Sequence, residues 1–490
     1  MNKYLEKIAK KVTSEPMQEH QSRSVEKLLK NKGLILAHST GSGKTRTINE
    51  AVHRIQKLDS KKKQLIITPA SLTGNIKSDS EKHGIDLDHG RIETISYEKA
   101  VNNLDRLMKE DYSLVAVDEG HKLRNTDTKR FKGLEALIGK AEHRLVTTAT
   151  PIYNSPEDIS PLVNLVSGKQ ALPTNKKEFE SKYISRKTTN PGIVSQFLLG
   201  RKATETVNIR DKKGLSSTLN KYVDKYDTRD DPNSQKFFPT KSEETHEVHM
   251  SEGQQKMYKY LEGNIPFLLK MKIRNNLPLD KKESAQLNAF STGIRQVSNS
   301  TRPYYKSGKP EISPKIQKAS EELESHMKKD KNFRGVIYSN YLKAGLDDYS
   351  EHLHSKGIKH TVYHGGLSKK EKEQAVLDYN SGKTPNLLIS SSGAEGLDLK
   401  GTKLIQVMEP HFNKSKIDQV VGRGARYKSH HHLPEAERNV KIQHFHSTFR
   451  PGFFGGKSKN KTIDQYLSAN SSNKNDVTSK IKDLIQSDKT

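Results

Sequence analysis

The chain has 490 residues, too many for one ordinary core, so we expect two or three domains. Lysine and arginine outnumber aspartate and glutamate by 85 to 58, and the resulting charge of +27 favours a polyanionic partner such as nucleic acid over a merely solubilising surface. The lack of cysteine excludes disulfides, zinc fingers and iron–sulfur clusters, and no apolar run approaches membrane-spanning length, so we expect a soluble, intracellular protein with no membrane partner.

The first third of the chain alternates short apolar runs with helical patterns. The runs are Gly33–His38, Gln64–Thr68, Arg91–Ile95, Leu114–Asp118 and His143–Thr148. Several are apolar at consecutive positions, as expected of strands that are covered on both faces. Strand–helix alternation of this kind predicts a parallel, doubly wound α/β sheet, which we assign to residues 1–168.

The segment His38–Thr45 (HSTGSGKT) follows the first of these strands. A glycine-rich loop between a strand and a helix lets backbone N–H groups surround phosphate oxygens, so we expect ATP to be bound by Thr40, Gly41, Ser42 and Gly43. Lys44 would contact the β- and γ-phosphates, and the Thr45 hydroxyl would bind Mg²⁺. His38 stands where the strict pattern has glycine, and the alternative is a chance glycine–serine turn.

Asp118 and Glu119 (in DEGH) follow the apolar run LVAV. Carboxylates at the carboxyl end of a parallel strand lie where ligands bind in open α/β sheets. Asp118 is therefore a candidate Mg²⁺ ligand, and Glu119 a candidate general base for the attacking water. Gln21, ahead of the loop, is a candidate for reading the adenine edge, although a surface glutamine is the commoner explanation of such a residue.

The rest of the chain divides into three further parts. We predict a helical insertion and linker over 169–312, a second α/β lobe over 313–450, and a flexible tail with a terminal helix over 451–490. The second lobe is indicated by the apolar runs Gly335–Tyr338, His360–Tyr363, Asn386–Ser390, Lys403–Met408 and Lys441–Phe445.

The second lobe contains two segments with candidate catalytic or nucleotide-binding residues. In Gln419–Arg426 (QVVGRGAR), Arg423 and Arg426 are three residues apart and would share one helix face, from which both could reach a γ-phosphate as arginine fingers. Gln419 would place water. In Ser391–Leu399 (SSGAEGLDL), small residues permit close backbone approach, and Gly396 and Asp398 are candidate nucleotide contacts. The alternative for the arginines is a basic surface helix.

The order of these segments resembles the motif series of superfamily-two helicases and translocases. Within it, the stretches Phe238–Tyr258, Ile294–Asn299 (IRQVSN) and Ser313–Ile316 (SPKI) resemble linker signatures of Swi/Snf-type DNA translocases. The acidic form of Glu395–Asp398 departs from that family and is more similar to the ATPases of large DNA viruses. The resemblance implies two RecA-like lobes in tandem and ATP hydrolysis with Mg²⁺.

The resemblance also implies where nucleic acid is contacted and leaves the biological process open. The implied contacts to the phosphate backbone are Thr68, Pro69 and Ser71 in the first lobe, and Ser339, Ser391, Ser392 and Gly393 in the second. We expect an ATP-driven translocase on DNA, specifically duplex DNA. A strand-separating DNA or RNA helicase and a non-hydrolysing scaffold stay as alternatives. We expect a monomer that is cytoplasmic, nucleoid-associated or packaged in a virion, with transcription, repair or replication proteins as candidate partners.

Overall fold

The computed structural model describes residues 16–85, 87, 90–152, 155–189, 204–228, 230–277, 279, 281–305, 311–391, 397–411, 414–451, 460–473, 480–481 and 483–485. The chain forms two compact units, which we call the first lobe (1–231 with 474–490) and the second lobe (232–473). Across these described ranges no helix is long and apolar enough to cross a membrane.

The first lobe is built on a parallel sheet. Its strands are β1 (Gly33–His38), β2 (Lys63–Thr68), β3 (Ile92–Ser96), β4 (Tyr112–Val117), β5 (His143–Thr148), an antiparallel pair β6 (Ile184–Thr189) and β7 (Thr204–Ile209), and β8 (Val223–Tyr226). Six of them form one parallel sheet in the order β3-β2-β4-β5-β1-β8. Every residue of β1 and of β4 is buried, in keeping with their nearly continuous apolar sequences.

Helices cover both faces of this sheet. They are α1 (Glu19–Asn31), α2 (Lys44–Leu58), α3 (Asn75–Lys82), α4 (Tyr97–Asn102), α5 (Leu104–Leu107), α6 (Lys129–Lys140), α7 (Ile159–Ser167), α8 (Lys176–Tyr183) and α9 (Lys212–Tyr222). Alternate residues of β1 enter two different cores: Ile35 joins one, and Leu34 and Leu36 join the other. The close approach of α7 requires Gly33, since a Cβ there would lie 1.9 Å from the carbonyl oxygen of Val166.

The second lobe repeats this plan. Its strands are β9 (Thr240–His249), β10 (Gly335–Ser339), β11 (His360–Tyr363), β12 (Asn386–Ser390), β13 (Leu404–Val407) and β14 (Asn439–Thr448), all parallel in the order β11-β12-β10-β13-β14-β9. Its helices are α10 (Pro232–Gln235), α11 (Glu252–Glu262), α12 (Phe267–Arg274), α13 (Lys281–Asn299), α14 (Pro314–Lys329), α15 (Asp348–Ser355), α16 (Lys369–Ser381), α17 (Lys414–Gly424) and α18 (Ile463–Asn473). Two doubly wound α/β lobes are therefore confirmed.

The segment 169–312, which we predicted as helical insertion and linker, contributes a strand to each sheet. β8 extends the first sheet beside β1, and β9 extends the second beside β14. Neither has an apolar run: β8 carries Asp224, and β9 reads TKSEETHEVH with its residues largely exposed. Both are terminal strands of their sheets, where hydrophobic patterning is weakest, so the sequence carried little signal for them.

The end of the chain also returns to the first lobe. Ile481, Leu484 and Ile485 are buried in its core, and Ser216 of α9 donates a hydrogen bond to the Leu484 carbonyl at 3.0 Å. Most of the predicted loop after Pro451 and the first part of the predicted terminal helix lie outside the described residues.

Candidate nucleotide site

The phosphate loop joins β1 to α2 and has the backbone that such a loop needs. Gly41 and Gly43 have φ of 85° and 80°, in the left-handed region that glycine adopts without strain. Helix α2 begins directly after Gly43, so its first N–H groups face the loop. The Lys44 ammonium donates to the carbonyl oxygens of His38 at 3.0 Å and Ser39 at 3.1 Å, which keeps it against the loop backbone.

Gln21 supports this loop from helix α1. Its Oε1 accepts a hydrogen bond from the backbone N–H of Gln18 at 3.0 Å, and its Nε2 donates to the Ser42 carbonyl at 3.3 Å. A Cβ on Gly43 would lie 2.3 Å from that Nε2, so the glycine is needed for the contact. Reading an adenine edge, as predicted, would require the buried amide of Gln21 to exchange these partners.

Asp118 lies at the carboxyl end of β4 and is held by hydroxyl and backbone donors. Its Oδ1 accepts from the Thr147 hydroxyl at 2.6 Å and from the Glu119 N–H at 3.0 Å. The buried Tyr97 hydroxyl donates to the Asp118 carbonyl oxygen at 2.6 Å. Thr147 lies near the carboxyl end of β5, so two neighbouring strand ends fix the carboxylate.

The surroundings of Asp118 oppose its ionisation. Burial raises its pKa first and the charge of Glu119 raises it further, while the Thr147 hydrogen bond and the Lys44 charge act in the opposite direction. Glu119 has φ of 53°, in the left-handed region, and its Oε2 lies 3.2 Å from His121 Nδ1. The lysine of the loop and the two acids therefore interact at one edge of the first sheet.

The predicted nucleic-acid contacts of the first lobe differ in accessibility. Thr68 is fully buried, and its hydroxyl lies 3.5 Å from Asp118 Oδ2, so its side chain faces the acid and not the surface. Pro69 is also buried, whereas Ser71 is exposed in a short 3₁₀ turn. A side-chain contact from Thr68 to a nucleic-acid strand is not available in this conformation.

In the second lobe, the two predicted arginines do not share one helix. Helix α17 carries Gln419 and Arg423 but ends at Gly424, so Arg426 lies beyond it. Glycine is a poor helix former, and here it allows close packing: a Cβ on Gly424 would lie 3.1 Å from the Thr402 side chain. The prediction of one shared helix face is therefore wrong, because it extrapolated the helical period through GRGA.

Arg426 instead pairs with the other motif segment of this lobe. Its Nη1 lies 3.4 Å from Asp398 Oδ1 and 3.5 Å from the Leu397 carbonyl oxygen. Asp398, predicted as a nucleotide contact, is thus an ion-pair partner of a predicted arginine finger. Ser391 follows β12 and is half-buried, whereas Ser392, Gly393 and Gly396 lie outside the described residues.

Ser339 belongs to a buried polar network that the sequence did not reveal. Its hydroxyl donates to the Glu409 carboxylate at 3.1 Å, and Asn299 Nδ2 donates to the same carboxylate at 2.6 Å. Lys315 donates to Asn299 Oδ1 at 3.0 Å and to Asp464 Oδ2 at 2.7 Å, and both ions of this pair are fully buried. The Ser339 side chain therefore faces inward, and a predicted contact to nucleic acid cannot be made by its hydroxyl in this conformation.

The first lobe has a phosphate loop and an acidic pair at one edge of its sheet. A second parallel α/β lobe, which carries a glutamine–arginine segment, follows in the chain. Together these features define the class of two-lobed phosphate-loop ATPases. Family profiles agree with that class. The SNF2-related domain matches residues 88–302, the helicase conserved C-terminal domain matches 314–428, and the res subunit of type III restriction enzymes matches 11–153.

Relatives extend the match to almost the whole chain. A putative ATP-dependent RNA helicase of Acanthamoeba polyphaga mimivirus is 30% identical over 473 residues, covering 96% of both chains. A termination factor NPH-I homolog of African swine fever virus is 24% identical over 93% of this chain and 75% of its own length. The DNA repair and recombination protein RAD54B of Gallus gallus is 24% identical over 80% of this chain and 47% of its own length.

Among solved structures, the Sulfolobus solfataricus SWI2/SNF2 ATPase core in complex with dsDNA covers 96% of this chain and 97% of its own, at 18% identity and a TM-score of 0.39. With 30% identity to a relative over 96% of the chain, together with the two family profiles, this protein belongs to the Swi/Snf-like family of superfamily-two ATPases. It is an ATP-hydrolysing enzyme of the helicase and translocase type.

Proposed function

We propose that this protein is a translocase that moves along duplex DNA by opening and closing its two lobes as ATP is bound and hydrolysed. The observation that carries the proposal is that the charges of Lys44 and Glu119 both act on the buried Asp118 carboxyl at the carboxyl edge of the first sheet. Such a gathering of phosphate-binding and acidic groups suits hydrolysis of a nucleoside triphosphate.

The residues of the first lobe divide the chemistry among them. The loop N–H groups and Lys44 bind the phosphates, and Glu119 orients the attacking water and accepts its proton. Thr45 and Asp118 offer hydroxyl and carboxylate oxygens, which are the donors that Mg²⁺ prefers, and a nearby cation would offset the cost of ionising the buried Asp118. Mg²⁺ supplies charge neutralisation on the phosphates when it is bound.

The second lobe supplies the remaining groups of the proposed site. Arg423 and Arg426 neutralise charge that develops on the γ-phosphate, and Gln419 helps to place water. In this structure Arg426 forms an ion pair with Asp398. That pair would therefore break when Arg426 binds the γ-phosphate. Hydrolysis then depends on both lobes, and the change of lobe arrangement provides the step along the DNA.

Duplex DNA is favoured as the track by two considerations. The charge of +27 suits binding to a phosphate backbone, and the relative named for DNA repair and recombination favours DNA. The mimivirus relative is named as an RNA helicase, so a strand-separating RNA helicase is the second candidate. The viral relatives favour a virus-encoded protein that works in transcription, as the name termination factor suggests.

The test compares three nucleic acids and two motor readouts. ATPase rates are measured with duplex DNA, single-stranded DNA and RNA at two salt concentrations, beside triplex-displacement and fork-unwinding assays. We expect the strongest stimulation by duplex DNA, a steep loss of stimulation at higher salt, and triplex displacement without unwinding. Glu119→Gln should abolish both activities, whereas Glu135→Gln, an exposed acid on α6, should not. Stimulation by RNA together with unwinding would refute the duplex-translocase proposal.

A further inference from the structure

A buried polar cluster lies beneath the phosphate loop, where the common loop pattern would have no side chain at the position of His38. We call it the His38 cluster, and it consists of His20, Ser24, His38, Asp224 and Tyr226. His38 Nε2 lies 2.7 Å from Asp224 Oδ2, and the Ser24 hydroxyl lies 2.6 Å from the same oxygen. The His20 ring stacks on Tyr226 with centroids 3.5 Å apart and 5° between the planes. Three elements, α1, β1 and β8, thus meet in one cluster.

The hydrogen bonds indicate which groups are charged. Burial lowers the pKa of His38, against the opposing effect of the Asp224 hydrogen bond. His38 Nδ1 is buried and, among the described residues, has no hydrogen-bond partner, which suits a lone pair and not an N–H. This arrangement favours a neutral His38 that donates through Nε2 to an ionised Asp224, and the Asp224 carboxylate also pairs with Arg23 at 3.1 Å.

The cluster is bonded directly to the loop on two sides. His20 Nε2 lies 2.9 Å from the Ser42 carbonyl oxygen, inside the loop. On the other side, the Ser39 N–H donates to the Tyr226 carbonyl at 2.9 Å, and the Thr228 N–H donates to the Ser39 hydroxyl at 3.0 Å. Residues 223–228 therefore hold the start of the loop, and the chain passes into the second lobe only a few residues later.

We propose that Asp224 and His38 are a positioning pair that sets the backbone of the phosphate loop and thereby the affinity for the triphosphate. The two side chains are buried against each other and act on the loop through β8 and β1, which are paired in register with Leu36 opposite Asp224 and His38 opposite Tyr226. The proposed catalytic acids Asp118 and Glu119 follow β4, which is not a neighbour of β8, so nucleotide affinity should change more than the hydrolytic step. The inference rests on the proposed role of this loop in binding ATP.

The test measures binding of a fluorescent ATP analogue with magnesium to the full chain, beside KM and kcat for ATP. Asp224→Asn removes the charge, and His38→Leu removes the donor at similar volume. Each should raise Kd and KM about tenfold, the effect expected for losing one charge-assisted hydrogen bond that positions the loop. The matched control Asp230→Asn, an exposed residue on the same segment, should bind as the wild type does.

Two further variants separate positioning from a merely structural role. His38→Gln keeps an N–H donor near the Nε2 position and should restore affinity to within about threefold of wild type. The double variant Asp224→Asn with His38→Leu should bind no more weakly than either single variant, because the pair acts as a unit. Equal Kd for Asp224→Asn and Asp230→Asn, or a double variant whose effect is the product of the two singles, would overturn the proposal. Because binding is measured directly, the result stands apart from whether duplex DNA stimulates hydrolysis.

Discussion

The buried ion pair of Lys315 and Asp464 gives the sharpest stability prediction. Lys315 is the second residue of α14, and its ammonium donates to Asp464 Oδ2 at 2.7 Å, Asn299 Oδ1 at 3.0 Å and the Met408 carbonyl at 3.0 Å. All three ammonium protons are therefore satisfied inside the second lobe. Lys315→Met removes them together and leaves the Asp464 carboxylate buried without its cation.

Removing one partner of a buried pair costs about 3–5 kcal/mol, because the remaining charge has lost both water and counterion. The matched control is Lys318→Met on the same helix. Lys318 pairs with Glu322 at 2.7 Å, but 42% of its side chain is exposed, so this change should cost only about 0.2–1 kcal/mol. The two variants differ in burial and not in chemistry.

The assay is urea unfolding of the second lobe, monitored by hydrogen exchange of the β13 and β14 amides with detection by mass spectrometry. With a urea dependence of about 1–3 kcal/mol per molar, the unfolding midpoint of Lys315→Met should fall by at least about 1 M. The midpoint of Lys318→Met should barely move. Equal midpoints for the two variants would refute the reasoning that the buried pair is a structural requirement.

Three other predictions follow from single contacts. Gly33→Ala should destabilise the first lobe by about 1–3 kcal/mol or more in thermal unfolding, since its Cβ would meet a backbone carbonyl at 1.9 Å. Gly139→Ala, with open space around it in α6, should instead stabilise the lobe by about 0.5–1 kcal/mol. Tyr97→Phe should cost about 1–3 kcal/mol in the same assay, because the Asp118 carbonyl loses a buried donor, and an unchanged melting temperature would argue against that bond. Burial alone would raise the pKa of Asp224, but its hydrogen bonds to His38 and Ser24 and the nearby positive charge lower it from 3.8 to about 2, so the stability it contributes is present above about pH 4 and lost as the pH falls towards 2. The difference in urea midpoint between wild type and Asp224→Asn should therefore be larger at pH 7 than at pH 2.5, and a constant difference would contradict this assignment.

The strands that position the site could be predicted from the sequence because they are central and apolar. The apolar pattern predicts the strand Gly33–His38 with its observed bounds, and it puts the acids after LVAV at the observed strand end. The terminal strands β8 and β9 carry little sequence signal, because β8 has only four residues, two of them charged, and β9 is largely exposed. A hydrophobic pattern reports burial on both faces, and a strand at the end of a sheet has little of it.

Side-chain direction and long-range pairing were beyond the sequence. Thr68 and Ser339 stand at strand ends where contact with nucleic acid was expected, yet each hydroxyl is turned towards a buried carboxylate. His38 contacts Asp224, which is 186 residues away in the sequence, and Lys315 contacts Asp464, which is 149 residues away. No local sequence pattern indicates either pair. Such pairs form because a buried charge must find a partner, but spacing does not say which one.

The central claim, that hydrolysis needs groups from both lobes, is tested most directly by the duplex-stimulated ATPase rate of Arg426→Ala. We expect a loss of about 10³-fold or more, as for removal of an arginine finger. Asp398→Asn, which breaks only the pair with Arg426, should retain activity within about tenfold, and Arg450→Ala, an exposed arginine, should match the wild type. A wild-type rate for Arg426→Ala, or losses of equal size for Arg426→Ala and Asp398→Asn, would contradict the shared-site account.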